Sequence, residues 1–590
     1  MSSTIRSVRV YMQRHAGKLL AGVVLIIIAN IFALVPPLIL QRAIDSLTNI
    51  NASSLLARYA LLIIGVAIVA GIFQFFSRYV VNSVSRYVEY EMRTELFKHF
   101  QELDLEYFQQ RKLGDLVARA TNDLSQVRQM LGPGVSNLFN ATIAFSLTAI
   151  AMLQVDVRLT LYSLIVMPAI TAFFILISGT IRRQYREVQD QFGEVSARAQ
   201  ENFSGIRVVK AYAQEEAELA AFNRVNQEYV ERSIRYTRLN ALLYPSMYFI
   251  SGLAVAILLW RGGLDVIAGR ITIGHLVQFT AYLGALTWPM ISLGWTVNLF
   301  QQGSASLSRI QEVQQTPPAI RNARTVDQSF MPQSGRVELR HVSFAYGDRE
   351  VLHDINLVVP AGTSLGIVGP TGSGKSSLMN LIARVYDVTG GAVLVDGRDV
   401  RDISLPNLRK IIGYVPQESF LFSLSLRENV GFGVETLSDD QLEHALHVSQ
   451  LAKDVTDFPR GVDTMVGERG VTLSGGQKQR TSIARAVARN PLILMLDEAF
   501  SSVDTNTEAA IMRELALVMR DRTSIVVAHR VSTVQHLDQI VVIRDGRITE
   551  QGTHMELLAL NGTYTTLYRQ QLIGEEMYDS ESDGGMEATD

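Results

Sequence analysis

Three short stretches of this chain place side chains and backbone donors where phosphate chemistry could be done. The first, Gly369-Pro370-Thr371-Gly372-Ser373-Gly374-Lys375-Ser376, follows the apolar run Leu365-Gly366-Ile367-Val368 and leads into Ser377-Leu378-Met379-Asn380-Leu381-Ile382. It reads strand, glycine loop, helix. With no Cβ in the way, the loop's N–H groups can close around an anion, and a helix starting at Lys375 points its positive end at that anion. Lys375 adds a point charge for the outer phosphates, and Ser376 offers a hydroxyl to Mg²⁺. Nucleotide contacts are therefore expected at Gly369, Thr371, Gly372, Ser373, Gly374, Lys375, Ser376 and Ser377.

The second stretch, Leu492-Ile493-Leu494-Met495-Leu496-Asp497-Glu498, is an apolar strand ending in adjacent carboxylates. Period-two alternation delivers both acids to the sheet edge and points them differently. Asp497 can hold the Mg²⁺ shell while Glu498 orients or deprotonates an attacking water. The plainer alternative is a strand end capped by acids. The third stretch, Leu473-Ser474-Gly475-Gly476-Gln477, is a second glycine-rich turn before a helix expected from Lys478 to Ala488. Exposed N–H groups at a helix start make a second phosphate reader.

This order of motifs resembles the ATP-binding-cassette family, of which Leu-Ser-Gly-Gly-Gln is the signature. The resemblance is tight from Arg336 to about Leu572 and looser over the membrane half, which resembles exporter half-transporters. It implies that Tyr346, after Phe344-Ala345, stacks on adenine, and that Gln417 in Tyr414-Val415-Pro416-Gln417 serves catalysis and the metal. It further implies an exporter-specific loop at Thr464–Gly470, a dimer-contacting loop with Asp504 in Ser502-Val503-Asp504, and a switch histidine at His529 in Ala528-His529-Arg530. Standing alone, Tyr346 reads as a strand aromatic, Gln417 as a surface polar group and His529 as a satisfied histidine; their joint order favours function. The expected catalytic set is Glu498, His529, Lys375 and Gln417, with Ser376, Gln417 and Asp497 on the metal. Ser474, Gly475, Gly476 and Gln477 complete the ATP contacts. Phe500 departs from the family pattern, which has a small residue there.

The elements that must carry these motifs divide the chain. Its 590 residues suffice for several domains, 48% of them are hydrophobic and 19% charged, a balance that suggests a membrane half joined to a soluble half. A net charge of -3 argues against a nucleic-acid footprint, and the lack of Cys excludes disulfides, thiolate metal sites and cysteine nucleophiles. Arg6, Arg9, Arg14 and Lys18 precede an apolar run, Leu19–Leu40, too long for a signal-peptide core and long enough to span a bilayer. Pro36-Pro37 should bend or break it. Further spans are expected at Leu55–Phe76, Val135–Leu153, Leu159–Ser178, Leu242–Trp260 and Leu276–Phe300, six in all.

Lys and Arg between the spans place the N-terminus and the two long connections in the cytoplasm, where the phosphate loop meets ATP. Arg86–Asp104 and Gln184–Val209 continue helical periodicity beyond the bilayer. Between them, Tyr107–Gly114 and Ser204–Tyr212 read either as solvated loop or as a short turn and transverse helix. The expected architecture is a membrane α-helical domain, residues 1–315, with six transmembrane helices and long cytoplasmic extensions. A linker at 316–335, an α/β P-loop ATP-binding cassette at 336–574 and an acidic disordered tail at 575–590 follow.

The resemblance implies a half-transporter of the cytoplasmic (inner) membrane that pairs with a second half-transporter, shares ATP and Mg²⁺ between two cassettes, and exports by alternating access. Few mid-membrane charges leave amphiphilic drugs, lipids or peptides as cargo, so the expected partners are membrane lipid and a hydrophobic small molecule, and no nucleic acid. Half of a heteromeric exporter, a peptide or siderophore transporter, and an ATP-gated channel or receptor stand as alternatives. An attached peptide-processing protease is not expected.

Overall fold

The computed structural model describes residues 10–48, 52–322, 326–467 and 471–572. Glu468–Gly470 of the exporter-specific loop, Arg6, Arg9 and the acidic tail lie outside the described residues. The chain forms two compact units: Met1–Glu102 with Arg111–Pro317, and Leu103–Gln110 with Pro318–Asp590.

The first unit is helical. Ala16–Ala33 ends at Leu34 and restarts as Val35–Asp45, with proline in the first turn of the second helix. Proline is tolerated there because the first N–H groups of a helix have no intrahelical partner. At this break the Leu34 carbonyl accepts the Tyr282 hydroxyl at 3.3 Å. Ala52–Glu102 has 51 residues, about 77 Å at 1.5 Å per residue, against a hydrocarbon core of about 30 Å. Glu215–Ile267 and Ile273–Gln315 are comparably long, so these helices run well past a bilayer. Outside the expected spans, Arg119 pairs with Asp115 and Glu312, and Arg309 with Asp123.

Among the described residues, 5 helical stretches are long and apolar enough to cross a membrane: Ala16–Asp45 with its break at Leu34, Ser54–Glu102, Leu113–Val155, Glu215–Ile267 and Ile273–Gln315. The expected span Leu159–Ser178 is not one helix. It is divided into Val157–Leu164 and Met167–Ser204, with Pro168 in the first turn of the latter. Pro168 has no N–H to donate, so the helix restarts there rather than continuing.

The second unit holds both sheets. The order in the larger is β10-β9-β3-β8-β7-β6, where β6 is Ile412–Val415, β7 Ile493–Asp497, β8 Thr523–Val527, β3 Ser364–Val368, β9 Gln539–Arg544 and β10 Arg547–Gly552. All pair in parallel except β9 with β10. The buried β3, β7 and β8 carry apolar residues at successive positions, Leu365–Val368, Ile493–Leu496 and Ile525–Val527, because both faces are covered. A smaller antiparallel sheet, β2-β1-β4-β5, adds Val337–Tyr346 (β1), Arg349–Val359 (β2), Gly390–Val395 (β4) and Arg398–Asp399 (β5).

Short helices occupy both stretches left open between loop and helix. Leu105–Gln109 starts at Asp104, whose carboxylate accepts from the Tyr107 N–H at 3.0 Å. It belongs to the second unit, where Gln109 accepts the Tyr386 hydroxyl at 2.8 Å. Ile206–Ala211 belongs to the first unit and buries none of its residues.

Candidate ATP site

β3 delivers the phosphate loop to the carboxyl edge of the parallel sheet, the usual ligand side of such sheets. Only glycine fits at Gly369: its φ is +153°, and a Cβ there would meet the Ile543 carbonyl oxygen at 2.1 Å. The helix Lys375–Ile382 follows, with Gly374 as its N-cap. Lys375 is buried, and its ammonium donates to the carbonyls of Gly369 and Pro370, both at 3.0 Å. Burial pulls its pKa below the usual lysine range, against the opposing pull of Glu498 and Asp497. The Ser373 hydroxyl oxygen is buried without a partner, in a loop whose backbone suits an anion.

β7 ends at Asp497, which accepts from the Ser376 hydroxyl at 3.1 Å and the Tyr414 hydroxyl at 3.4 Å. Burial raises the Asp497 pKa, because its charged form loses solvent. Burial likewise raises that of Tyr414 and keeps it a donor. Glu498 does not continue the strand. Its φ of +49° turns the chain left-handed, so this backbone turn, rather than strand alternation alone, separates the two carboxylates. Non-glycine residues held in that region are uncommon and gather at functional sites.

The Glu498 carboxylate accepts from Gln417 Nε2 at 2.6 Å, lies 2.7 Å from His529 Nε2 and 3.9 Å from Lys375 Nζ. Lys375, Ser376, Gln417, Asp497, Glu498 and His529 are thus brought together around the loop. Tyr346, the last residue of β1, joins from the smaller sheet: its hydroxyl is 3.2 Å from that of Ser377, and its ring meets Tyr386 edge-on at 5.3 Å. Gly369, Thr371, Gly372, Ser373 and Gly374 lie in the loop itself, between β3 and the helix.

The signature turn makes a separate cluster. Ser474 caps the helix Gly475–Ala488, which starts earlier than Lys478, and Ser474 and Gln477 bond reciprocally in a capping box. Gln477 also donates to Asp454 at 2.8 Å. Gln479 ties this helix to the following loop, donating to Ser501 at 2.7 Å and accepting from the Ser502 N–H at 2.8 Å. The two segments touch: a Cβ on Gly476 would lie 2.9 Å from the Ser502 carbonyl oxygen. Asp504 caps Thr505–Met519 by accepting from the Thr507 N–H at 2.9 Å, which holds its carboxyl below the usual range. Phe500 is buried in the apolar cluster under this loop, occupying space a small residue would leave.

Sequence reasoning missed Tyr414, Tyr386 and Gln479. Tyr414 stands three residues before Gln417 in an already noted motif, a signal that could have found it. Tyr386 and Gln479 carried no separable pattern.

A strand-bound phosphate loop, paired carboxylates and a signature helix, in one chain with long apolar helices, define an ATP-driven membrane transporter. The ABC transporter transmembrane region family matches residues 19–290, and the ABC transporter family matches residues 352–501. A probable multidrug resistance ABC transporter ATP-binding/permease protein of Bacillus subtilis is 33% identical, covering 98% of this chain and 99% of its own. A putative multidrug export ATP-binding/permease protein of Staphylococcus aureus is 35% identical, over 95% of this chain and 98% of its own. A bacterial Atm1-family ABC exporter solved with ATP bound superposes with a TM-score of 0.80 at 27% identity, covering 95% of this chain and 99% of that one. The chain belongs to the ABC transporter family. It is a multi-pass membrane half-transporter of the exporter fold and an ATPase coupled to transport.

Proposed function

We propose that the chain pairs with a second half-transporter, in the simplest case another copy, and exports amphiphilic small molecules, drug-like compounds or lipids, across the cytoplasmic membrane by alternating access. One observation carries the pairing: the phosphate-loop cluster and the Ser474–Gln477 turn are both present, yet each is bonded within its own cluster. A second cassette supplying its signature turn to this loop would complete each ATP site, so two ATP molecules are shared. The multidrug names of the Bacillus and Staphylococcus relatives support the cargo class.

Within the site, Glu498 positions the attacking water and takes its proton, while Gln417 and His529 hold the carboxylate in place. Lys375 leaves its carbonyl partners for the outer phosphates, and the loop N–H groups with Ser373 bind the remaining oxygens. Phosphoryl transfer depends on such positioning and charge stabilisation. The donor set fits Mg²⁺: Ser376 and Asp497 offer hard oxygens 3.1 Å apart, and Gln417 spends its amide N–H on Glu498, leaving its carbonyl oxygen. When bound, the ion neutralises charge developing on the phosphates. Leu105–Gln109 follows Ala52–Glu102 in sequence and bonds within the cassette unit, so it is the segment we assign to passing closure to the membrane helices.

The test is ATPase activity of the purified chain in lipid, with its mass in the same preparation, with and without hydrophobic cations and lipids. Dimer mass with Glu498-dependent turnover and stimulation by an amphiphile is expected. A monomer without turnover, rescued by a co-expressed second half-transporter, would overturn self-pairing.

A further inference from the structure

The last described helix, residues 563–572, is fixed at its start. The Tyr564 N–H donates to Glu550 at 3.0 Å, and the Tyr564 side chain is buried with its hydroxyl 2.7 Å from His554 Nδ1. Leu567 and Tyr568 pack on the apolar cluster that holds Tyr564. Tyr564, Leu567, Tyr568 and Gln571 are spaced three, four and seven apart, so they share one helix face. The fourth place on that inward face is therefore polar, where the pattern asks for an apolar residue.

Gln571 has a use for its amide there. Its Oε1 accepts from the Val531 N–H at 2.7 Å, and its Nε2 donates to the His529 carbonyl at 2.6 Å. One side chain so pairs with a backbone donor and a backbone acceptor two residues apart, as a neighbouring strand would. β8 ends at Val527, Ala528 is tied to β3 through the Ile367 carbonyl at 3.2 Å, and the helix Val531–Val534 starts at Arg530 without a side-chain cap. Among the described residues, no backbone–backbone hydrogen bond uses the His529 carbonyl or the Val531 N–H. Glu508 holds Arg530 and Thr533 through their side chains, which leaves the backbone at His529 to Gln571. The His529 side chain is 45% exposed, so packing does little to fix the ring nitrogen that lies 2.7 Å from Glu498.

We propose that Gln571 is a positioning residue of the ATPase: its amide holds the backbone at His529 and Val531, and through it keeps the imidazole on the Glu498 carboxylate. Losing this hold leaves ATP binding in place, since that rests on the phosphate loop and Tyr346, and slows the step that needs Glu498 aligned. This deepens the reading in which His529 holds Glu498 in place, and rests on it.

The experiment measures steady-state ATPase of the full chain in lipid nanodiscs, in the paired form that turns over, with ATP affinity and thermal midpoint alongside. The variants are Q571M, Q571E, R569Q and H529A. Q571M keeps the side-chain length and loses both hydrogen bonds. Its kcat should fall by on the order of tenfold, while KM and affinity for ATP stay within about twofold and the midpoint moves by at most about 4 °C. Q571E still accepts from Val531 but has no N–H for the His529 carbonyl, and should be as slow as Q571M. R569Q changes the same helix at a side chain bonded to Asn561, and should turn over like the parent. Parent-like kcat in Q571M would overturn the proposal, as would parent-like kcat in Q571E beside a slow Q571M. A loss of kcat matched by R569Q, by weakened ATP affinity or by a collapsed midpoint would make the role structural and overturn it too. If H529A is slow and the Gln571 variants are not, the proposal falls alone; if H529A turns over like the parent, the His529 reading falls and takes the proposal with it.

Discussion

Around the phosphate loop the polar side chains bind one another across four segments: Ser376 to Asp497, Gln417 and His529 to Glu498, Lys375 to its own loop and toward Glu498. At the signature turn they bind locally: Ser474 and Gln477 close a box on their own helix, Gln477 reaches Asp454, and Asp504 caps the next helix. The first cluster is organised by charge, with buried Lys375, Asp497 and Glu498 balancing one another. The second is organised by backbone, since its side chains are spent on holding N–H groups at a helix start. The chemistry of the first is therefore sensitive to a single change of charge, and that of the second to a change of shape.

Glu498→Gln presses hardest on this contrast. It is nearly isosteric and removes only the carboxylate's basicity, so turnover should fall by about 10²–10⁴, the usual worth of a general base, while ATP binding persists. Rapid-quench hydrolysis beside equilibrium nucleotide binding checks both. Near-parent turnover would remove Glu498 from the role.

A change of shape in the other cluster should come next. Gly476→Val puts side-chain atoms where the Ser502 carbonyl sits, 2.9 Å from the Cβ position, and must displace the loop toward Asp504. A displacement of about 1 Å can cost about 10²-fold in rate, and we expect a loss of that order in ATPase with nucleotide affinity retained. If affinity for ATP fell in step with turnover, the two clusters would not be separable and the contrast would fail.

Tyr346 sits between these extremes, because it offers a ring rather than a charge. Tyr346→Ala should weaken ATP binding about two- to tenfold, and Tyr346→Phe, which keeps the ring but loses the hydroxyl contact with Ser377, should weaken it less. Titration of a fluorescent ATP analogue separates them. Equal losses in both variants would mean that the hydroxyl, not the ring, is what matters.

The parts legible in the sequence were those where one local pattern has one physical cause. Unbroken apolar runs ending in glycine or acid gave β3 and β7, because a strand covered on both faces has no polar side to interrupt it. The antiparallel sheet was legible only at Val337–Leu339: β2 alternates buried and exposed residues and carries Asp354 at positive φ, so its pattern is diluted by charge and an irregular register. The left-handed turn at Glu498 left no trace, since nothing in Asp497-Glu498-Ala499 marks a positive φ in the way a glycine would. In the membrane half, hydropathy marks Leu159–Ser178 as apolar enough, but hydropathy does not register the missing N–H of Pro168, and the helix divides beside it. The capping boxes at Ser425, Ser438, Ser474 and Thr553 follow an ordinary Ser/Thr and Glu/Gln spacing; of these, the one at Ser474 is followed directly by two glycines, Gly475 and Gly476.

The proposed double use of Ser474, as a cap and as a phosphate reader, has the smallest and most discriminating test. Ser474→Ala removes the acceptor for the Gln477 N–H and should cost about 1 kcal/mol of stability as a lost cap, a shift of about 2–4 °C in the cassette's thermal midpoint. Ser474→Asp keeps a capping oxygen but adds a negative charge, so stability should stay near the parent while ATPase falls through repulsion of a phosphate. If Ser474 only caps its helix, Ser474→Asp will hydrolyse ATP at the parent rate. If it faces a nucleotide held by a second cassette, Ser474→Asp will be stable and slow, and its defect will ease as ionic strength rises, because salt screens a repulsion but does not restore a lost cap.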